Sequence, residues 1–308
     1  MTTPVLGVIG DLVEDIVVWQ QAPLAVGSDT PSRIVHTQGG SAANVAVFAS
    51  SLVDTRFIGC VGDDERGRDL ARALRREHVD ARLALGHRTG IVVVLVDPDG
   101  QRTMLPDRGA NAELAEVPSG SLDDLTWLHA TAYSLQDNPA AQTVRRALTQ
   151  VRAHGGLTSL DASSASLIRD FGPAQFRDEV DRLDPDIVLA NEDEAALLGW
   201  DVPQPAPRMM IIKHGKDPVL IRTQAGAATW PTPPVDGIVD TTGAGDGFAA
   251  GFLASLLPVA TLVPEPGIPG VPWMRYAAPD SPAVEICCQL GHRVASLVMT
   301  RLGAGLAL

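Results

Sequence analysis

Asp246 ends the run Asp240-Thr241-Thr242-Gly243-Ala244-Gly245-Asp246, and Phe248, Phe252 and Leu256 follow it at helical spacing. Gly243, Ala244 and Gly245 ahead of an apolar helical stretch leave backbone N–H groups bare at a helix N-terminus, where the helix dipole favours an anion. A carboxylate beside a phosphate bound there can take a proton from a hydroxyl while those N–H groups stabilise the gathering charge, which is what phosphoryl transfer requires. An isolated Asp in a first helical turn could serve only as a dipole partner. Two other nucleotide signatures are excluded, because the dinucleotide fingerprint would need Gly where Phe248 stands and no Gly-x4-Gly-Lys-Ser/Thr occurs.

Such a site needs a scaffold that brings distant segments to one edge. Strand-like runs over 5–9, 55–60 and 91–96 alternate with helical patterns over 41–52 and 65–77. The rhythm resumes with strands over 127–131, 157–161, 186–190 and 209–213 and a helix over 140–153. It predicts an α/β fold over 1–308, with a doubly wound, mostly parallel sheet in a single domain. Two stretches, about 16–38 and 90–109, read as strands and turns without a helix between them. They predict a small β-sheet lid, inserted in the core and able to exclude water from the reaction, although an edge extension or a dimer surface would show the same pattern. The Pro- and Gly-rich stretch 258–282 cannot be helical throughout and reads as a loop beside the nucleotide end of the site or as a surface insertion.

With 308 residues, 45% of them hydrophobic, the chain can bury a full core. A formal net charge of −13 argues against nucleic acid or an anionic membrane as partner and favours small molecules. Cys60, Cys287 and Cys288 form no metal spacing and no disulfide framework, and no apolar run reaches membrane length, so a reducing cytoplasm is the expected location.

Four further segments place polar groups at predicted strand ends, the edge where ligands bind in open α/β sheets: Gly10-Asp11 to Asp15, Gly39-Gly40-Ser41-Ala42-Ala43-Asn44, Gly109-Ala110-Asn111 and Asn191-Glu192-Asp193-Glu194. Together with Val61-Gly62-Asp63-Asp64-x-x-Gly67 and the run ending at Asp246, and in this order, they resemble the ribokinase (PfkB) family of carbohydrate kinases over nearly the whole chain. The resemblance implies ATP-dependent phosphorylation of a hydroxymethyl group on a sugar or sugar-bearing compound, with Asp246 as base and the N–H groups of Gly243, Ala244 and Gly245 donating hydrogen bonds to the transferred phosphoryl. By the same carry-over Asp15, Asp11, Gly39, Gly40, Asn44 and Asn111 would meet the acceptor, since ionised carboxylates accept from a diol and an amide both donates and accepts. Asp11 could equally be a turn residue, and Asn44 an inward polar residue of its helix.

On the donor side the resemblance implies that Asn191, Lys213, Gly215, Thr242 and Gly245 bind the nucleotide and that Glu194 organises Mg²⁺ through water. Asp240 and Thr242 would lie by a K⁺ site in those members that have one. Pro218 stands where the family generally has Gly, so the loop after Lys213 must differ in geometry, and 199–208 leaves little room for a helix that many relatives place there. Ala132-Tyr133-Ser134 replaces an acidic residue usual in ribokinases proper, which turns the reading away from ribose. Three functions remain open at this point: a sugar kinase, a nucleoside kinase such as a pseudouridine kinase, and a binding protein that has lost efficient catalysis. A homodimer through the lid would follow the habit of several relatives.

Overall fold

A computed structural model describes residues 3–262, 273–275 and 277–300 of the chain. Its larger sheet has nine strands in the order β13-β12-β11-β10-β9-β8-β1-β4-β5. These are β1 (Val5–Ile9), β4 (Asp54–Gly62), β5 (Asp80–Gly86), β8 (Leu125–Thr131), β9 (Leu157–Asp161), β10 (Ile187–Asn191), β11 (Met209–His214), β12 (Asp217–Thr223) and β13 (Gly226–Trp230). From β11 to β5 every pairing described is parallel, and β12 and β13 add an antiparallel edge.

The expected lid is present as a separate four-stranded sheet in the order β3-β2-β6-β7. Its strands are β2 (Val13–Gln20), β3 (Ser32–Gly39), β6 (Gly90–Val96) and β7 (Arg102–Asp107). The first of them begins at Val13, three residues before the expected boundary, because Val13 already pairs with Gly39 and Gly90. The run over 91–96 therefore belongs to the lid and is no strand of the main sheet. The edge of the main sheet beyond β4 is instead β5, where Ala81, Leu83 and Leu85 alternate.

Helices cover both faces of the main sheet. On one side α1 (Ser41–Ser50), α2 (Glu65–Arg76), α7 (Ala244–Leu262) and α8 (Pro282–Met299) pack around Trp127, Phe248 and Phe252. On the other lie α3 (Ala140–Ala153), α4 (Ala165–Phe171), α5 (Pro173–Leu183) and α6 (Glu192–Leu198), around Phe176, Leu128 and Ile168. Each buried aromatic of this kind contributes roughly 1.5–3 kcal/mol, which is why the sheet faces decide where helices dock.

The helix that carries Asp246 is fixed by shape as much as by hydrophobicity. Phe248 and Phe252 stack with centroids 5.9 Å apart, and a Cβ at Gly251 would lie 2.5 Å from the carbonyl oxygen of Leu290. Only a glycine on α7 lets α8 approach so closely, so the small residues after Asp246 pack the helix that presents it. Of the Pro-rich stretch 258–282, residues 263–272 and 276 lie outside the described residues, whereas α7 continues through Pro258 and α8 starts at Pro282. No helix among the described residues is long and apolar enough to cross a membrane.

Candidate active site

The strand ends of β1, β8, β9, β10 and β11 meet the N-termini of α1 and α7 along one edge of the sheet, beneath the lid. Asp246, half-buried in the first turn of α7, receives two hydrogen bonds from α1: Ser41 Oγ donates to Oδ1 at 2.6 Å and Asn44 Nδ2 to Oδ2 at 2.9 Å. Ser41 and Asn44 share a helix face because they are three residues apart. Asn44 is held in turn, since Gln38 Nε2 at the end of β3 donates to its Oδ1 at 3.1 Å. Burial raises the Asp246 carboxyl to about 6, against the lowering effect of the Ser41 and Asn44 hydrogen bonds. A carboxylate of that strength is ionised at neutral pH and basic enough to take a proton from an alcohol.

At the mouth of α7, Gly243 has φ +76° and Ala244 N–H closes a turn onto the Thr241 carbonyl at 3.2 Å. Ala244 was expected among the donors to phosphate, but its N–H is used locally; the first-turn N–H groups of Gly245 and Asp246 have no partner among the described residues. Lys213 stands over this mouth, for a Cβ added at Gly245 would come within 3.3 Å of its Nζ. The N–H groups of Gly245 and Asp246 and the Lys213 ammonium thus form a cradle of hydrogen-bond donors at this mouth, a chemistry that suits an anion.

Lys213, 15% exposed at the end of β11, is paired at 3.0 Å with Asp161 at the end of β9, across the intervening strand β10. Burial pulls its basicity down, but Asp161 and Glu194 more than offset this and it ends above the ordinary lysine value. Asn191 and Glu194 form a capping box at the start of α6: Asn191 Oδ1 accepts from Glu194 N–H at 2.9 Å, and both Glu194 oxygens accept from Asn191, at 2.8 Å each. Burial, with Asp161 nearby, raises Glu194 to about 7. Among the described residues no group of three or more His, Cys, Asp or Glu side chains could hold a metal. Glu194 and Asp161 are carboxylates of the kind that would accept from the waters of a Mg²⁺ bound to phosphates.

Gly215 lies in the exposed turn between β11 and β12, with φ +60°. Pro218 falls just where the β11–β12 register shifts, between Ile212 and His214, and its carbonyl accepts from His214 Nδ1 at 3.0 Å. A proline is tolerated there because the ladder is already irregular and asks no N–H of it. The connection from α6 to β11 carries no helix, as its length suggested. At the other rim Asp240 is nearly fully buried, accepts Thr242 N–H at 2.7 Å and forms an ion pair with Arg102 of the lid. Asp240, expected with Thr242 beside a monovalent-cation site, thus has a carboxylate oxygen paired with the Arg102 guanidinium.

The acceptor side departs further from expectation. Asp15, on β2, faces Asp246, and burial, reinforced by that neighbour's charge, raises its carboxyl to about 7. Gly39 owes its identity to Asp15, whose Cγ would lie 2.2 Å from an added Cβ, and Gly40 (φ +99°) to the Asp11 carbonyl, 2.3 Å away. The diglycine thus accommodates the protein's own chain as tightly as any ligand. Asp11 is gripped by Arg108 through Nε at 3.1 Å and Nη2 at 2.7 Å, while the same guanidinium reaches Asp137 at 2.7 Å. Asn111 is buried and bonded to Leu12 N–H at 2.8 Å and to the carbonyls of Leu12 at 3.1 Å and Arg108 at 2.9 Å. Its amide ties the lid root to β1 and faces no open space. Tyr133 Oη donates to the Ser163 carbonyl at 3.3 Å.

Sequence reading passed over Ser41, Gln38, Asp161, Arg102 and Arg108. Two had a signal: Ser41 by its spacing from Asn44, and Asp161 as a carboxylate ending a predicted strand. The other three act across elements whose contact only folding defines.

Comparison with known proteins agrees with this geometry. The profile of the pfkB family of carbohydrate kinases matches residues 6–308. A fructokinase of Klebsiella pneumoniae is 34% identical over 272 residues, covering 81% of this chain and 83% of the relative. Among solved structures, the adenosine kinase of Sinorhizobium meliloti superposes with a TM-score of 0.77 at 22% identity, over 100% of this chain and 97% of the other. The fructokinase of Xylella fastidiosa with bound ATP gives 0.74 at 20% identity, over 98% and 94%. At such identities the structures establish the ribokinase-like fold, and the profile and the sequence relative establish the lineage: the chain belongs to the pfkB family of carbohydrate kinases, phosphotransferases with an alcohol group as acceptor.

Proposed function

We propose that the protein transfers the terminal phosphoryl of ATP to a hydroxymethyl group of a neutral sugar, with Asp246 as general base. The observation that carries this reading is the pair of hydrogen bonds from Ser41 and Asn44 to Asp246 beside the cradle over Gly245. Ser41 Oγ is itself an alcohol at 2.6 Å from the carboxylate, so the position an acceptor hydroxyl would take is one from which Asp246 accepts a proton. As the hydroxyl attacks, its proton passes to Asp246, and the charge on the transferring group meets the Gly245 and Asp246 N–H groups and Lys213. Bound Mg²⁺ supplies further neutralisation of the phosphates, with Glu194 and Asp161 to hold its waters.

A sugar is favoured over a nucleoside because the acceptor side is lined by Asp15, Asp246, Asn44 and the Asp11–Arg108 pair, groups that accept from and donate to hydroxyls. The fructokinase relative points the same way. The test is a panel of hexoses, pentoses, sugar acids and nucleosides with ATP and Mg²⁺, read as ADP formation. Turnover confined to neutral sugars supports the reading; turnover confined to nucleosides replaces the acceptor, and no turnover with measurable sugar binding points to a binding protein.

The lid also offers a face for a second subunit. Ile34 and Leu105, on the face shared with Val18 and Val93, are 57% and 52% exposed, and a homodimer through this apolar face is the arrangement we propose. Sedimentation of the wild type beside Ile34→Lys tests it, with a shift to monomer expected for the variant.

A further inference from the structure

One residue of the site holds the left-handed conformation without being glycine. Ser163, in the loop between β9 and α4, has φ +72°, which a Cβ makes unfavourable and which glycine adopts freely. Its side chain accounts for the choice. Ser163 Oγ accepts at 2.9 Å from the N–H of Ala132, just past the end of β8, and donates at 3.1 Å to the carbonyl of Asp161, at the end of β9. Thr131 and Asp161 are the last partners of the β8–β9 pairing, so the hydroxyl supplies one more rung where the ladder stops. The backbone of Ser163 is used as well: its N–H donates to Asp161 Oδ1 at 2.8 Å, and its carbonyl accepts from Tyr133 Oη at 3.3 Å. The other oxygen of Asp161, Oδ2, accepts from Lys213 Nζ at 3.0 Å.

We propose that Ser163 is a positioning residue for phosphoryl transfer: its hydroxyl pins the loop after β9 in the left-handed turn that aims its N–H at Asp161, and Asp161 so held keeps Lys213 at the mouth of α7. A carboxylate turns easily about χ2, and a lysine paired with a turning carboxylate follows it on a flexible stem. With Oδ1 tied to the Ser163 N–H, the anchor of the ammonium no longer turns, and Nζ stays beside Gly245. The Ser163 carbonyl sets Tyr133 in the same way, and the Tyr133 ring lies close enough to Asp246 and Glu194 to feel both charges. One strained residue thus ties the acceptor wall of the site to its phosphate wall. Strain of this kind persists where surrounding contacts over-determine it, and a glycine would relieve the strain but give up the extra rung. This inference rests on the kinase reading above.

The experiment is a double-mutant cycle of Ser163→Gly and Lys213→Met, with Ser163→Ala as a second way of deleting the hydroxyl. For Ser163→Gly we expect kcat to fall about 10-fold, the scale of a slight misplacement of reacting groups. Its melting temperature should stay within about 2 °C of wild type, because relief of the strain offsets the two lost hydrogen bonds. In the Lys213→Met background the same change should cost less than about twofold, since the side chain it acts through is gone. Ser163→Ala should lose kcat as Ser163→Gly does. Calorimetric binding of a non-hydrolysable ATP analogue gives a readout independent of turnover: about 10-fold weaker in Ser163→Gly than in wild type, with no such loss once Lys213 is Met. A kcat for Ser163→Gly within about twofold of wild type, an equal fold-loss in both backgrounds, an unchanged analogue affinity, or a drop in melting temperature of more than about 5 °C would each overturn the proposal. If wild type phosphorylates nothing while analogue binding still depends on Ser163 only in the presence of Lys213, the kinase reading fails and the positioning of Lys213 stands.

Discussion

The two halves of the site on either side of Asp246 are built from opposite materials. On the acceptor side neutral groups, Ser41 and Asn44, hold the base, and a second carboxylate, Asp15, crowds it; burial lifts both acids, to about 6 and about 7. On the donor side every charge has a partner in place: Lys213 on Asp161, Glu194 in its capping box, Arg102 on Asp240. Under the proposed function the crowded acids Asp15 and Asp246 would be relieved by hydroxyls that donate to them, and the paired charges on the other side would be released to phosphates. In the proposed reaction that division would let Asp246 serve as base while the Lys213 charge stays engaged with Asp161.

The sharpest way to break this comparison is Asp246→Asn, for which phosphorylation should fall by roughly 10²- to 10⁴-fold while sugar binding, followed calorimetrically, persists. The wild-type kcat/KM should also decline as pH drops through about 6, where Asp246 takes up a proton and ceases to be a base; a flat profile down to pH 5 would assign the role elsewhere.

Lys213→Met attacks the donor half and leaves Asp161 without its ion pair. Because both side chains are slightly exposed, 15% and 11%, the loss should be about 2–3 kcal/mol, less than a fully buried pair would show. Denaturant unfolding measures it, and ADP formation in the same variant should fall as well.

Asp15→Asn probes the stress on the acceptor half and should change stability in the opposite direction. A carboxyl raised from 3.8 to about 7 binds a proton in the folded chain that the unfolded chain has already lost, so its contribution diminishes as pH rises between those values. The variant should therefore melt higher than wild type at pH 8, on the order of a few °C, with little difference at pH 4. Its acceptor KM should rise. Equal melting at both pH values would show that Asp15 is not under stress.

The smallest effect is expected from Asn191→Ala, which removes one arm of the capping box and should cost about 1 kcal/mol in unfolding free energy.

Elements with strong periodicity and flanking turns were legible from the chain alone. The strand Leu157–Asp161 and the helix Ala140–Ala153 have the bounds their patterns predict, and the lid was recognisable from turns without an intervening helix. The strands β5, β12 and β13 and the helices α4 and α5 were passed over, although Ala81, Leu83 and Leu85 alternate in β5 and Phe176, Val180 and Leu183 recur at helical spacing in α5. In the site, the helix mouth and Asp246 were legible because small residues, a carboxylate and an apolar stripe lie within one short segment. What Asn111 touches was not legible: its own segment shows an amide at a strand end, but folding brings Leu12, ninety-nine residues away, to meet both its donor and its acceptor.

The sequence by itself therefore determined the helix with the small residues at its mouth, the acid beside it and the order of segments that marks the family, since all of these are local spacings. Tertiary structure alone decided what each charge faces. Arg108 closing on Asp11, Lys213 on Asp161 and Arg102 on Asp240 join residues between 52 and 138 positions apart. Ion pairs depend on distance and burial in three dimensions, and neither is written in the spacing of residues along a chain.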